Sequence, residues 1–187
     1  MIEESLPSVQ TESSSSNSLQ MDAQDQSFVR SLACVLTHLV SVPPARDEKP
    51  SRFTAVKVPS ISILDYLLRL QRYFACSSEC FVLALVYIDR LIKRHSDFSV
   101  TQFNVHRLLV TAVMLAAKFF DDLYYSNGYY AKVGGVKCSE LNVLEVHFLR
   151  MVDWRLAVTT EEFEQYRAQV LLAVSGQEIS RFPEEGD

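Results

Sequence analysis

The sequence lacks a long hydrophobic run. Its longest unbroken apolar stretch is "FVLALVYI", Phe81 to Ile88, which is too short to cross a bilayer. It also lacks an excess of positive charge. With 18 Lys and Arg against 23 Asp and Glu, the formal net charge is −5 and the pI is near 5.4. That balance gives no general attraction to nucleic acid or to an anionic membrane, so neither is expected as a partner. The first residues, "MIEESLPSVQ", are acidic and polar, unlike a signal peptide or an Arg-rich transit peptide. Four cysteines are few for a disulfide scaffold, and Cys34, Cys76, Cys80 and Cys138 lie in or beside apolar helical stretches. They read as reduced, mostly buried thiols, and the expected location is cytoplasm and/or nucleus.

No segment shows convincing strand alternation, and no internal repeat is visible. What the sequence does contain is helical periodicity. A chain of 187 residues with 48% apolar and 22% charged residues suits one globular domain. Residues 1–24 include the Ser-rich "TESSSSNSLQ" and are expected to be disordered, as is the acidic end, 175–187. Phe28, Leu32, Val35, Leu36 and Leu39 form the stripe of a first helix, 25–41, which ends at "VPPARDEKP".

A second helix follows Ser60 or Ser62, with Ile63, Leu67, Leu70 and Phe74 on one face. A third begins after Ser77 or Ser78. Asn104 is placed to cap "VHRLLVTAVMLAAKFFDD", which is apolar on nearly every side and should therefore be central. Ser139 is placed to cap the next helix. Thr159 and Glu162 have capping-box spacing ahead of a last one that carries Phe163, Tyr166, Val170 and Val174. The expectation is six helices in an all-α bundle.

Catalytic and cofactor chemistry find little support. "GGVKCS" has the wrong spacing for a phosphate-cradling loop and follows no strand, so Gly134 and Gly135 read as a turn that aims the next helix. Cys76 and Cys80 have no second Cys or His pair at finger spacing, so no metal is expected. A Cys–His pair such as Cys138 with His147 would suit a nucleophile and base, but buried or semi-buried free thiols are far commoner. No cofactor is implied. Two charges interrupt apolar stripes. Lys118 follows Met114 and Leu115, and Glu145 lies among Leu141, Leu144, Phe148 and Leu149. Each has a plain explanation: Lys118 pairing with Asp121 or Asp122, and Glu145 marking a solvent edge. A charge ringed by apolar neighbours is also what a partner-binding patch needs.

The segments "VPSISILDYLLRL", "YIDRLI", "HRLLVTAVMLAAKFFDD", "YYAKVGGVKCSELNVLEVHFL" and "DWRLAVTTEEF" occur in the order seen in cyclins. They most closely resemble the P-type, or U-type, cyclins, over about residues 28–174. The resemblance implies a single five-helix cyclin box, over 58–174, preceded by the extra N-terminal helix within a cyclin domain spanning 25–174. It implies a cyclin-dependent protein kinase as partner, activated without any catalytic group from this chain. Lys118 and Glu145 match the family's kinase-contacting charges, and Leu115, Phe119 and Leu149 would supply apolar surface around them. By the same resemblance Asp122, with Asp121, would face solvent near the kinase's activation segment, and Lys-Val-Gly-Gly would be the loop joining the two charged helices.

Two departures stand out. The Arg and Trp that many cell-cycle cyclins carry on the first box helix are missing from "SISILDYLLRL", which leaves Asp89 to find another partner, and there is no second box. The resemblance suggests phosphate signalling or cell-cycle control, and the residues do not choose between them. A cyclin-fold adaptor that does not activate a kinase, either transcription-factor-like or a scaffold, is the other reading.

Overall fold

The computed structural model describes residues 13–42 and 50–174, with side chains over 27–42 and 50–173. Among the described residues there are seven helices and no strand, in the order α1 (Ser13–Ser41), α2 (Ile63–Phe74), α3 (Glu79–Arg94), α4 (Val105–Phe120), α5 (Asn127–Gly134), α6 (Cys138–Met151) and α7 (Thr160–Val174). None of these helices is long and apolar enough to cross a membrane.

The largely apolar α4 is the axis of the fold, as its composition predicts. From Val105 to Ala117 every residue except Arg107 is buried. Helices α2, α3, α5 and α6 pack around it, and α1 lies against α2 and α7. Burying α4 on all sides removes the part of the chain least suited to water. Its last turn breaks that pattern. Lys118 is half-buried, and Phe119 and Phe120 are exposed. One end of the core helix therefore reaches the surface.

The stripes fall where their spacing put them: Ile63, Leu67, Leu70 and Phe74 of α2 are buried, and so are Phe28, Leu32 and Leu36 of α1. The helix starts are more informative. Ser62 caps α2, accepting from the Asp65 amide at 3.0 Å while its hydroxyl donates to the Asp65 carboxylate at 2.7 Å. Thr159 Oγ1 accepts from the Glu162 amide at 3.2 Å. Asn104, expected to cap α4, instead closes the preceding turn by accepting from Thr101 N and donating to Ser99 O, both at 2.8 Å. Ser139 lies inside α6, whose cap position is Lys137.

Two boundaries differ from expectation. Helix α1 begins at Ser13, so residues 13–24 are helical where a disordered tail was expected. No Gly or Pro stands between Pro7 and Pro43, so extending the packed part of α1 backward costs little once it is nucleated. The expected tails at 1–12 and 175–187 lie outside the described residues. The second difference is α5, which occupies most of the expected Lys-Val-Gly-Gly loop. Ser126 caps it, accepting from the Tyr129 amide at 3.4 Å, and Gly135 ends it in the left-handed region at φ 70°. The two glycines thus do different work. Gly134 is helical, and a Cβ there would meet Val110 Cγ2 at 2.4 Å. The missing side chain lets α5 lie directly on α4.

Asp89 is buried and accepts from the Tyr166 hydroxyl of α7 in a short hydrogen bond, with Lys93 3.1 Å away. Helix α7 therefore supplies the partner that the missing arginine leaves vacant. Arg90, beside it, donates to the carbonyls of Arg155 and Ala157 at 2.8 and 3.0 Å and to Glu162 at 2.7 Å. These bonds tie α7 and its lead-in to α3.

Candidate functional site

Helices α4, α5 and α6 bring four polar side chains together at the surface end of α4. Lys118 Nζ donates to Glu145 Oε1 at 2.5 Å and to Asn127 Oδ1 at 3.0 Å. Asn127 Nδ2 in turn donates to Glu145 Oε2 at 2.7 Å and to Asn142 Oδ1 at 2.8 Å. Both carboxylate oxygens are engaged, and two of the three ammonium donors are used. The side chains of Lys118 and Glu145 are only 29% and 16% exposed, so this is a half-dry, charge-assisted network and not a freely solvated surface pair.

Each charge has its place for a reason of local structure. Lys118 stands where α4 leaves the core, one residue past buried Ala117. Glu145 follows buried Leu144 on α6. Asn127 is the first residue of α5, so the helix that fills the expected loop delivers the bridging amide. The pairing of Lys118 with Asp121 or Asp122 does not occur. At Asp121 the chain leaves the helix with φ −83° and ψ 144° and turns its carboxylate away.

The apolar surroundings differ from expectation in one respect. Leu115 is 3% exposed and belongs to the core. It supports the site without presenting surface. Phe119 is 56% exposed, and Leu149 is half-buried against the core. Sequence reasoning missed Trp154, which is 64% exposed. Asp153 and Trp154 follow α6 in succession with φ of 55° and 60°, and the Trp154 amide donates to Leu149 O at 2.8 Å. Two consecutive non-glycine residues in the left-handed region are strained, and such strain concentrates at functional surfaces.

Phe119 is shared by two open grooves. One, of about 350 Å³, has Trp154, Val152 and Leu156 with Arg90, Lys93 and Arg94. The other, of about 420 Å³, has Leu83, Tyr87, Phe120, Val158 and Phe163. Apolar hollows on either side of an exposed aromatic, beside a fixed charge cluster, match the make-up of a protein interface core.

Asp122 is exposed, as expected, but Asp121 is not solvent-facing. Its carboxylate accepts from Ser77 N at 3.0 Å, Ser77 Oγ at 2.5 Å and the Cys80 thiol at 3.4 Å, bracing the start of α3. Nothing in the sequence pairs residues so far apart. Cys138 and His147 are not brought together. They lie on the same helix nine residues apart, about 13 Å along its axis, and the His147 ring packs on Phe53 at 5.5 Å. The neighbouring Cys76 thiol and desolvation push the buried Cys80 thiol up, so in the metal-free chain it is the reverse of an activated nucleophile.

A family model described as Cyclin matches residues 1–156. Cyclin-U4-3 of Arabidopsis thaliana is 47% identical over 122 residues, which cover 65% of this chain and 56% of that protein. Cyclin-U1-1 of Arabidopsis thaliana is 50% identical over 114 residues, 61% of this chain and 54% of that one. Cyclin-P4-1 of Oryza sativa subsp. japonica is 46% identical over 118 residues, 63% and 56% of the two chains. The matched segment spans little more than half the length of these relatives. With a helical bundle built on α4, the family match and these identities place the chain in the cyclin family, among its U- and P-type members.

Proposed function

We propose that this chain is the regulatory subunit of a cyclin-dependent serine/threonine protein kinase, which it binds and activates in the cytoplasm and/or nucleus. The observation that carries this reading is the Lys118–Asn127–Glu145 network, fixed at the exposed end of the core helix beside Phe119. A kinase of this class is switched by the position of one helix, which brings an active-site Lys–Glu pair together. A rigid surface that binds only the inward position shifts the equilibrium by its differential affinity. The remaining ammonium donor and the carboxylate lone pairs supply charge-assisted bonds to backbone groups next to that helix. Phe119, Leu149 and Trp154 exclude water around them. The chain contributes no group to phosphoryl transfer.

The test begins with purification of the kinase that the chain retains from a eukaryotic cell extract, followed by assay of that kinase with and without the chain. Lys118→Ala and Glu145→Ala should each weaken association by about 2–5 kcal/mol, and the double variant should lose less than the sum of the two. The heads do not simply reach water in the free protein. Each truncation leaves a half-buried partner, so a fall of about 1–3 kcal/mol in folding stability accompanies the binding loss. Circular dichroism separates the two effects. Folded variants that bind and activate normally would overturn the assignment. A kinase that binds without gaining activity would favour the scaffold reading.

A further inference from the structure

The link between α2 and α3 places two thiols against the carboxylate that ends α4. Cys76 is half-buried in the link, Cys80 is buried in the first turn of α3, and Asp121 is half-buried at the end of α4. One ligand atom from each lies within 4.8 Å of the other two. A carboxylate that merely caps α3 requires Ser77. It does not require a second cysteine beside Cys80 within the same 4.8 Å. In a tetrahedral site with a Zn–S bond near 2.3 Å and a Zn–O bond near 2.0 Å, sulfur and oxygen stand about 3.5 Å apart. Cys80 Sγ and Asp121 Oδ2 stand at 3.4 Å. Ser77 already fixes the carboxylate through Oγ on Oδ1 and its amide on Oδ2, the role that outer groups play around a bound metal.

We propose that Cys76 Sγ, Cys80 Sγ and Asp121 Oδ2 form a zinc site, with solvent in the fourth position. Two thiolates and one carboxylate favour Zn²⁺ over Mg²⁺ or Ca²⁺, which take oxygen ligands. On binding, the two S–H protons go to solvent, and two sulfur–zinc bonds and one oxygen–zinc bond replace the ion's water ligands until one water remains. The ion takes the place of the proton in the Cys80–Asp121 hydrogen bond. It ties the entry of α3 to the end of α4, three residues beyond Lys118, and so stiffens the corner on which the polar network stands. This proposal concerns metal binding by the chain itself and stands or falls independently of any kinase.

The test uses the full chain, reduced, with the exposed Cys34 and Cys138 changed to serine. Titration with Co²⁺ should give one equivalent with thiolate-to-cobalt charge transfer in the near ultraviolet, and Zn²⁺, which has no geometric preference to lose in a tetrahedral thiolate site, should displace the cobalt. Zinc should also raise Tm. Cys76→Ser should abolish the one-equivalent site. Asp121→Asn should weaken it by at least the ~10–100-fold that even an outer partner contributes. Helical circular dichroism reports whether each variant folds. Should either fail to fold, alkylation of Cys76 in the parent protein provides the second measurement, and zinc should slow it. Absence of a charge-transfer band in the folded parent, an unchanged band in Cys76→Ser, or unchanged alkylation with zinc would each overturn the site.

Discussion

Replacing Gly134 with alanine tests whether the contact between α5 and α4 sets the geometry of the polar network. The added Cβ would stand 2.4 Å from Val110 Cγ2 and 3.3 Å from the Tyr66 hydroxyl oxygen. Carbon atoms rest at about 3.5–4.0 Å, so α5 must retreat by more than about 1 Å or Val110 must leave its rotamer. Val110 is fully buried and has nowhere to go. Overpacking of this kind costs about 1–3 kcal/mol. Retreat of α5 also stretches the buried bond in which the Tyr66 hydroxyl donates to Gly134 O at 2.9 Å, a further ~1–3 kcal/mol if the phenol is left unsatisfied. Alanine's better helix propensity returns at most about 1 kcal/mol, less at a last helical residue.

The expected loss is therefore about 2–4 kcal/mol, read as a lower urea midpoint at unchanged slope. Gly135→Ala is the contrast. It has open space around the added atom and a φ of 70°, so it should cost only the left-handed strain of about 1–2 kcal/mol. Val110→Ala should partly rescue Gly134→Ala, making the double variant less damaged than the sum. Because Asn127 sits on the same short helix, Gly134→Ala should also weaken kinase association in the folded fraction. A Gly134→Ala protein as stable as the parent, or more stable than Gly135→Ala, would refute the close-approach argument.

Three further outcomes are expected. Asp122→Asn removes an exposed carboxylate beside the binding corner; it should lower the activity or change the substrate preference of the bound kinase while leaving association intact, and unchanged kinetics on every substrate would remove that role. Tyr166→Phe takes the donor from buried Asp89 and should cost about 1–3 kcal/mol by denaturant unfolding, with Lys93 moderating the loss. Stability should fall as pH drops below about 6.5, the ordinary imidazole value, because burial lowers the folded pKa of His106 and His147, and the unfolded chain takes up protons that the native one refuses. His106→Gln should flatten part of that slope between about pH 8 and pH 5, measured as urea midpoint against pH.

How far the sequence could be read depended on how local each cause was. The burial of α4 follows from composition alone, and Lys118 and Glu145 stood out because each broke an apolar run. Their mutual pairing did not, since 27 residues separate them and nearer acids offered themselves at helical spacing. Helix α5 was hidden because it is eight residues long and holds Gly128 and Gly134, which read as turn residues until the space beneath Gly134 is known. Asn127 was hidden with it. Leu115 looked like surface by its place beside Lys118, yet α4 is packed on all sides up to Ala117, which leaves Leu115 in the core. The Asp121 corner is a tertiary fact, as is the strained turn that turns Trp154 outward.

The packing of α1 on α7 joins the two ends of the described chain. Closing so long a loop costs little more free energy than closing a shorter one, because the entropy grows only logarithmically with length. It does delay the event, since distant contacts form after local ones. During synthesis α1 leaves the ribosome well before α7. The apolar stripe of Phe28, Leu32 and Leu36 must wait, covered at best by α2, until α7 arrives to finish the surface. A chain cut short before Thr160 would carry that stripe exposed, a natural handle for chaperones and proteases that distinguish finished from unfinished molecules.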